Sequence, residues 1–163
     1  MHSFFIAALR AVLAVTFLAG LFGQIVVVPV TAADEVDLNP AYAPYQVPYT
    51  IAGIVGIACI QVVLVAAWVL LGMIERDAIF SARAFRWVDV IIGATVAASL
   101  TAASVTVHLL FSDIPAPEME LIGAVGATGL CAAAGATFAM LLFIMRGLLR
   151  KATELQAEMA EVV

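Results

Sequence analysis

Charge is what this chain has least of. Asp, Glu, Lys and Arg make up 12% of its 163 residues, against 65% hydrophobic residues. That is about half the charged share of a soluble domain, too little to coat a water-soluble core. Cysteine is nearly absent too. Cys59 and Cys131 both sit inside apolar runs, with no CxxC, so thiol-oxidase chemistry lacks its motif and a structural disulfide is not expected. Both read as small buried hydrophobes. Histidine occurs only as His2 and His108, whereas zinc takes three or four ligands. No GxGxxG follows a strand pattern, no GxxxxGK[ST] occurs, and no Asp-x-Asp metal loop is present. The expectation is a chain with no metal, no cofactor and no enzymatic activity, since its nucleophilic and basic groups are isolated along the apolar runs.

What is present is long hydrophobic runs, with a mean hydropathy of +1.15. Four stretches are of membrane-spanning length. They predict helices at about 4–30, 49–73, 82–111 and 119–160, in one membrane domain covering residues 1–163. The first run resembles a leader, but its apolar core exceeds the usual roughly 7–15 residues, so it is read as an uncleaved helix.

The basic residues set the orientation. All seven, Arg10, Arg76, Arg83, Arg86, Arg146, Arg150 and Lys151, fall on one side of the runs; the other side has Asp34, Glu35, Asp37, Asp113, Glu118 and Glu120 with no Lys or Arg. The positive-inside rule then places both termini in the cytoplasm. The fold class that follows is an all-α, integral membrane four-helix bundle with a cytoplasmic amphipathic extension of helix four.

The organising stretch is 74–89, IERDAIFSARAFRWVD, the one internal segment with several basic residues. Ser81 suits the N-cap of a helix beginning at Ala82, with Phe80 as a hydrophobic staple. Arg83 and Arg86, three apart, share a face. Asp89 lies a turn or two into the membrane, and the expectation is that it pairs with Arg10 or Arg86. Arg10 itself can snorkel to the interface.

Gln24 and Gln61 are amides within apolar runs and need partners. Bonding across the bundle is the plainer reading; lining a small cavity is the sharper one. Pro29 is expected to loosen or end the first helix. In 31–48, Pro40, Pro44 and Pro48 recur every four residues and predict an extended cover rather than helix. Tyr42, Tyr45 and Tyr49 suit the headgroup level more than a ligand site. His108 reads as an interfacial histidine in preference to a pH sensor. The third run is rich in Ala, Ser and Thr, and Gly123, Gly126, Gly129 and Gly135 give the fourth a smooth patch expected to pack against it.

In the tail, Leu148, Ala152, Leu155, Met159 and Val162 form an apolar stripe at helical spacing. Glu154, Glu158 and Glu161 argue against docking on anionic lipid, which leaves a protein surface. Arg83, Arg86, Leu155 and Met159 are therefore the candidate partner-binding residues. Arg10, Asp89, Gln24 and Gln61 are the candidate intramembrane polar contacts. The basic side nets only +1 once Glu75, Asp77, Asp89, Glu154, Glu158 and Glu161 are counted, so direct nucleic-acid binding is not expected.

The hinge element Ile79-Phe80-Ser81 and the charged tail RKATELQAEMAEVV carry a resemblance to the small bacterial four-helix membrane proteins called domain of unknown function 2975. The resemblance implies four spans over nearly the whole chain, residence in the bacterial cytoplasmic membrane, and no defined catalytic residues. It also implies a partner, because such proteins are often encoded beside a small helix-turn-helix regulator of the Cro/C1 type. The leading expectation is a membrane-embedded regulatory or scaffold protein that binds a cytoplasmic protein. The alternatives are a transporter or channel-like homo-oligomer and an accessory subunit of a larger membrane complex. Proton-coupled export is disfavoured because no Asp or Glu lies in the middle of any run.

Overall fold

The computed structural model describes residues 2–75 and 82–161; the side chains at 2–4, 82 and 155–161 lie outside that description. All regular structure within it is helical. Helix α1, His2–Phe22, passes through a π turn, Gly23–Val27, into α2, Val28–Leu38. A 3-10 turn, Pro40–Tyr42, leads to α3, Ala43–Ile74, followed by α4, Ala82–Phe111, and α5, Glu118–Glu161. The four helical stretches long and apolar enough to cross a membrane are Phe5–Leu38, Pro40–Ile74, Arg83–Phe111 and Glu118–Glu154.

Of the two outcomes expected at Pro29, loosening is the one found: the helix does not end there, because the π turn immediately before it makes room. Proline lacks an N–H and its ring crowds the carbonyl four residues back, here that of Ile25. A π turn redirects those carbonyls; the Val28 N–H bonds Gly23 O instead of Gln24 O. The expectation for 31–48 is corrected: the segment is mostly helical, not extended. Pro40 and Pro44 occupy first-turn positions, where the missing N–H has no partner to lose. Only Pro48 falls inside a helix, early in α3, at the cost of one backbone bond.

The helices are arranged in a row. The first span packs on α3, α3 on α4 and α4 on α5; among the described residues the backbone of the first span stays away from those of α4 and α5, and that of α3 from α5. A closed bundle would set first and last spans side by side. The outer side of the first span carries Leu9, Val12, Val15, Leu18 and Phe22 as an exposed stripe at spacings of three and four. Cys59 on α3 and Cys131 on α5 therefore stand on helices that do not meet, and both are free thiols.

Buried side chains lie at the seams rather than in a central core: Ala66, Leu71, Ala84, Leu109 and Ala139, with the polar Gln61, Thr95 and Ser99. The α4–α5 seam has a regular register. Thr106 Oγ1 bonds Thr128 Oγ1 at 2.9 Å. Seven residues further along each helix, Ser99 sits against Gly135 so closely that a Cβ at 135 would overlap its hydroxyl. Small residues permit this approach, and the hydroxyls also bond their own helices, Ser99 Oγ to Thr95 O at 2.9 Å and Thr128 Oγ1 to Ala124 O at 2.8 Å. The glycine patch divides: Gly129 and Gly135 face α4, while Gly123 and Gly126 meet nothing within 4 Å. Steps of three residues turn only about 300°, so such a series drifts around the helix instead of holding one face.

Candidate functional site

The two ends of the row differ in chemistry. At the acidic end, α2, α3, α4 and α5 surround a cleft of about 390 Å³. Its walls are mainly apolar, including Val36, Val105, Leu109 and Leu121. Its polar groups are Glu35 from α2, Tyr42 from the 3-10 turn, Tyr45, Gln46 and Tyr49 from the start of α3, and Glu120 and Thr128 from α5. Helical spacing explains the aromatic wall, because Tyr45 and Tyr49 are one turn apart on one face.

His108 of α4 fixes that wall. Its Nδ1 lies 2.8 Å from the Tyr49 hydroxyl. The imidazole meets Tyr49 edge-on at 5.7 Å between ring centres and Tyr45 at 6.1 Å, and the two tyrosine rings are 6.4 Å apart. The tyrosines expected at the headgroup level thus line a cavity, and His108 is a partner in an aromatic cluster. Sequence reasoning missed this because the histidine and the tyrosines lie on different spans, and only the α3–α4 register joins them.

At the basic end, two ion pairs tie neighbouring spans together, with partners other than those expected. Arg146 Nη2 donates to Asp89 Oδ2 at 2.8 Å, with its Nε 2.6 Å from Oδ1, joining α5 to α4. Arg10 Nη2 donates to Glu75 Oε2, joining α1 to the end of α3. Arg10 is taken instead by Glu75, at the end of the helix against which α1 packs. Arg86, on the same helix as Asp89, is exposed, while Arg146 is brought to Asp89 by the α4–α5 register. Gly72 and Trp68 shape the Arg10 site: a Cβ at 72 would come within 3.7 Å of Nη2, and the guanidinium carbon lies 6.0 Å from the indole centre.

The two amides lie along the α1–α3 seam, not in the cleft. Gln24, carried on the π turn, donates to Ile54 O at 3.1 Å. Gln61 donates to Phe17 O at 3.4 Å, a long bond, in a space left by Gly20, where a Cβ would lie 3.2 Å from its Nε2. Arg83 and Arg86 are exposed and form no ion pair among the described residues. The backbone of α5 carries Leu155 and Met159, but their side chains lie outside the described residues, as do Ile79, Phe80 and Ser81. Among the described residues no group of three His, Cys, Asp or Glu side chains could hold a metal ion.

Four apolar rods of spanning length, tied at one end by ion pairs and open at the other as a cleft, define a multi-pass, all-helical membrane protein. Residues 30–163 match the family described as protein of unknown function (DUF2975), and the chain belongs to that family. The match begins at Val30, so most of the first span precedes it. No curated protein and no solved structure matches the chain.

Proposed function

We propose that this protein is a membrane-embedded regulatory or scaffold protein that holds a soluble protein at its basic end, on the cytoplasmic side of a bacterial inner membrane. The observation that carries the reading is the continuity of α5. It runs unbroken from Glu118, beside the cleft, to Glu161. Forty-four helical residues extend about 66 Å at about 1.5 Å each, twice the roughly 30 Å of the hydrocarbon layer. The helix therefore crosses the membrane and projects beyond it, carrying the stripe that begins at the exposed Leu148. Arg83, Arg86, Arg150 and Lys151 surround its base, and the clustering of all basic residues at this end supports its placement inside the cell. The partner in this reading is a small helix-turn-helix regulator. The physical model is sequestration, with release requiring a ligand that binds two arrangements of the helices unequally.

A photo-crosslinking residue at Ala152, compared with one at Phe111 on the acidic end, tests the placement in native membranes. Adducts to one defined soluble protein from position 152, absent from position 111 and lost on deleting residues 153–163, are expected. Equal adducts from both positions, or none from 152, end the proposal.

A second reading has one observation in its favour. Gly123 and Gly126 form a smooth face with nothing within 4 Å, which suits a further span of a homo-oligomer or a larger membrane complex. Transport through the row is less well supported, because both intramembrane amides are bonded to backbone carbonyls of the neighbouring helix. In proteoliposomes, Gln61→Leu is expected to leave the leak of small polar solutes unchanged; a flux that depends on Gln61 would reverse this ranking.

A further inference from the structure

We propose that the cleft at the acidic end binds a free amphipathic organic cation, an apolar or aromatic body carrying an ammonium-type charge. The inference is independent of the soluble partner proposed above.

Three features of the cleft select this class. Its volume of about 390 Å³ falls at the small-molecule end of ligand pockets, which run from about 300 to 1,000 Å³. Its walls are mostly aliphatic, so the body of a ligand must be apolar. Its aromatic side is built from Tyr42, Tyr45 and Tyr49, whose ring faces attract a cation within about 6 Å. His108 holds Tyr49 in place through the 2.8 Å contact, so this side is organised before any ligand arrives.

The charge of the cleft is of one sign. Glu35 and Glu120 line it from α2 and α5, and neither forms an ion pair among the described residues. Lys and Arg are absent from this end of the sequence, where Asp34, Asp37, Asp113 and Glu118 add to the field. Asp34, Glu35 and Asp37 also stand in the last turn or so of α2, which ends at Leu38. There the helix dipole opposes negative charge, so Glu35 has an unmet electrostatic demand, whereas Glu120, in the first turn of α5, is favoured by its own helix. An anionic or neutral ligand would leave that demand in place. The other grooves lack this chemistry. The groove between Phe17 and Trp68 and the groove between Val96 and Phe143 are almost wholly apolar and suit acyl chains.

Ethidium serves as the probe, titrated by fluorescence into the full chain in dodecyl maltoside micelles, with empty micelles as the blank. Saturable binding is expected. Glu35→Gln, Glu120→Gln and Tyr45→Leu should each weaken it by about tenfold, while Glu154→Gln, at the opposite end of α5, should change it less than about twofold. Far-ultraviolet helicity and elution volume show whether each variant is folded. The two Glu→Gln changes in the cleft preserve size at exposed positions, so the test survives a failure of the tyrosine variant. Absence of saturable binding overturns the proposal, as do folded Glu35→Gln and Glu120→Gln variants with wild-type affinity, or equal binding of the anionic dye anilinonaphthalene sulfonate. Repetition in phosphatidylcholine nanodiscs separates the two sources of such a cation. Retained binding supports a free ligand; loss only in the discs assigns the cleft to the lipid's own quaternary ammonium and overturns the free-ligand reading.

Discussion

Gly135→Ala is expected to destabilise the contact between the last two spans by about 1–3 kcal/mol, as overpacking of a tight interface does. The new methyl group would overlap the Ser99 hydroxyl and lie 3.4 Å from the Ser99 Cβ. Ser99 cannot turn away freely, since its Oγ donates to Thr95 O at 2.9 Å and the residue is buried. A second substitution makes the prediction specific. Ser99→Ala removes the overlapping atom and leaves only the 3.4 Å approach, so Gly135→Ala combined with Ser99→Ala should recover most of the lost stability. The measurement is the thermal midpoint of helicity in nonionic detergent for both single variants and the double. Additive losses would mean that the helices do not approach closest at this pair, because coupling is what distinguishes touching residues from distant ones.

Breaking the Asp89–Arg146 pair is the other large expected effect. Asp89→Leu leaves a guanidinium at the membrane edge without its carboxylate. The side chains of Arg146 and Asp89 are 31% and 45% exposed in the isolated chain. The cost should therefore lie between that of a surface pair and that of a charged buried hydrogen bond, about 1–2 kcal/mol. Exchanging the charges, Asp89→Arg with Arg146→Asp, should restore much of it, and the same detergent unfolding measurement reads Asp89→Leu, each single exchange and the double. An exchanged pair no more stable than its weaker single variant would show that the observed contact does not hold α4 to α5. The exchange also separates pairing from simple charge placement, since it leaves the total charge of that end unchanged.

The sequence made the spans legible because hydrocarbon imposes a length and composition that can be counted along the chain. It placed the third helix at Ala82 to Phe111, and α4 occupies those residues. It misread 31–48, where three prolines suggested extended chain. The rule applied there weighs proline by its presence; what matters is its position, and two of the three stand in first turns. It also named Asp89 and Arg10 as intramembrane charges but assigned the wrong partners. The partnership with Arg146 follows from a register that the structure supplies. Thr106 with Thr128 and Ser99 with Gly135 define an antiparallel register, and continuing it down the same hairpin brings Asp89 beside Arg146. No signal in the sequence pointed to the cleft, whose walls come from four helices.

By itself the sequence determined that this chain has four apolar runs of membrane length, with every basic side chain at one end and none at the other. These are properties of local composition, and a bilayer reads composition directly. Only the tertiary structure decided that the spans pack in sequence order, which carboxylate meets which guanidinium, and that Tyr45 and Tyr49, braced by His108, line an acidic cleft. Those outcomes depend on helix rotation and register, which small-residue contacts such as Ser99–Gly135 fix to within a fraction of a turn and which no count along the chain contains.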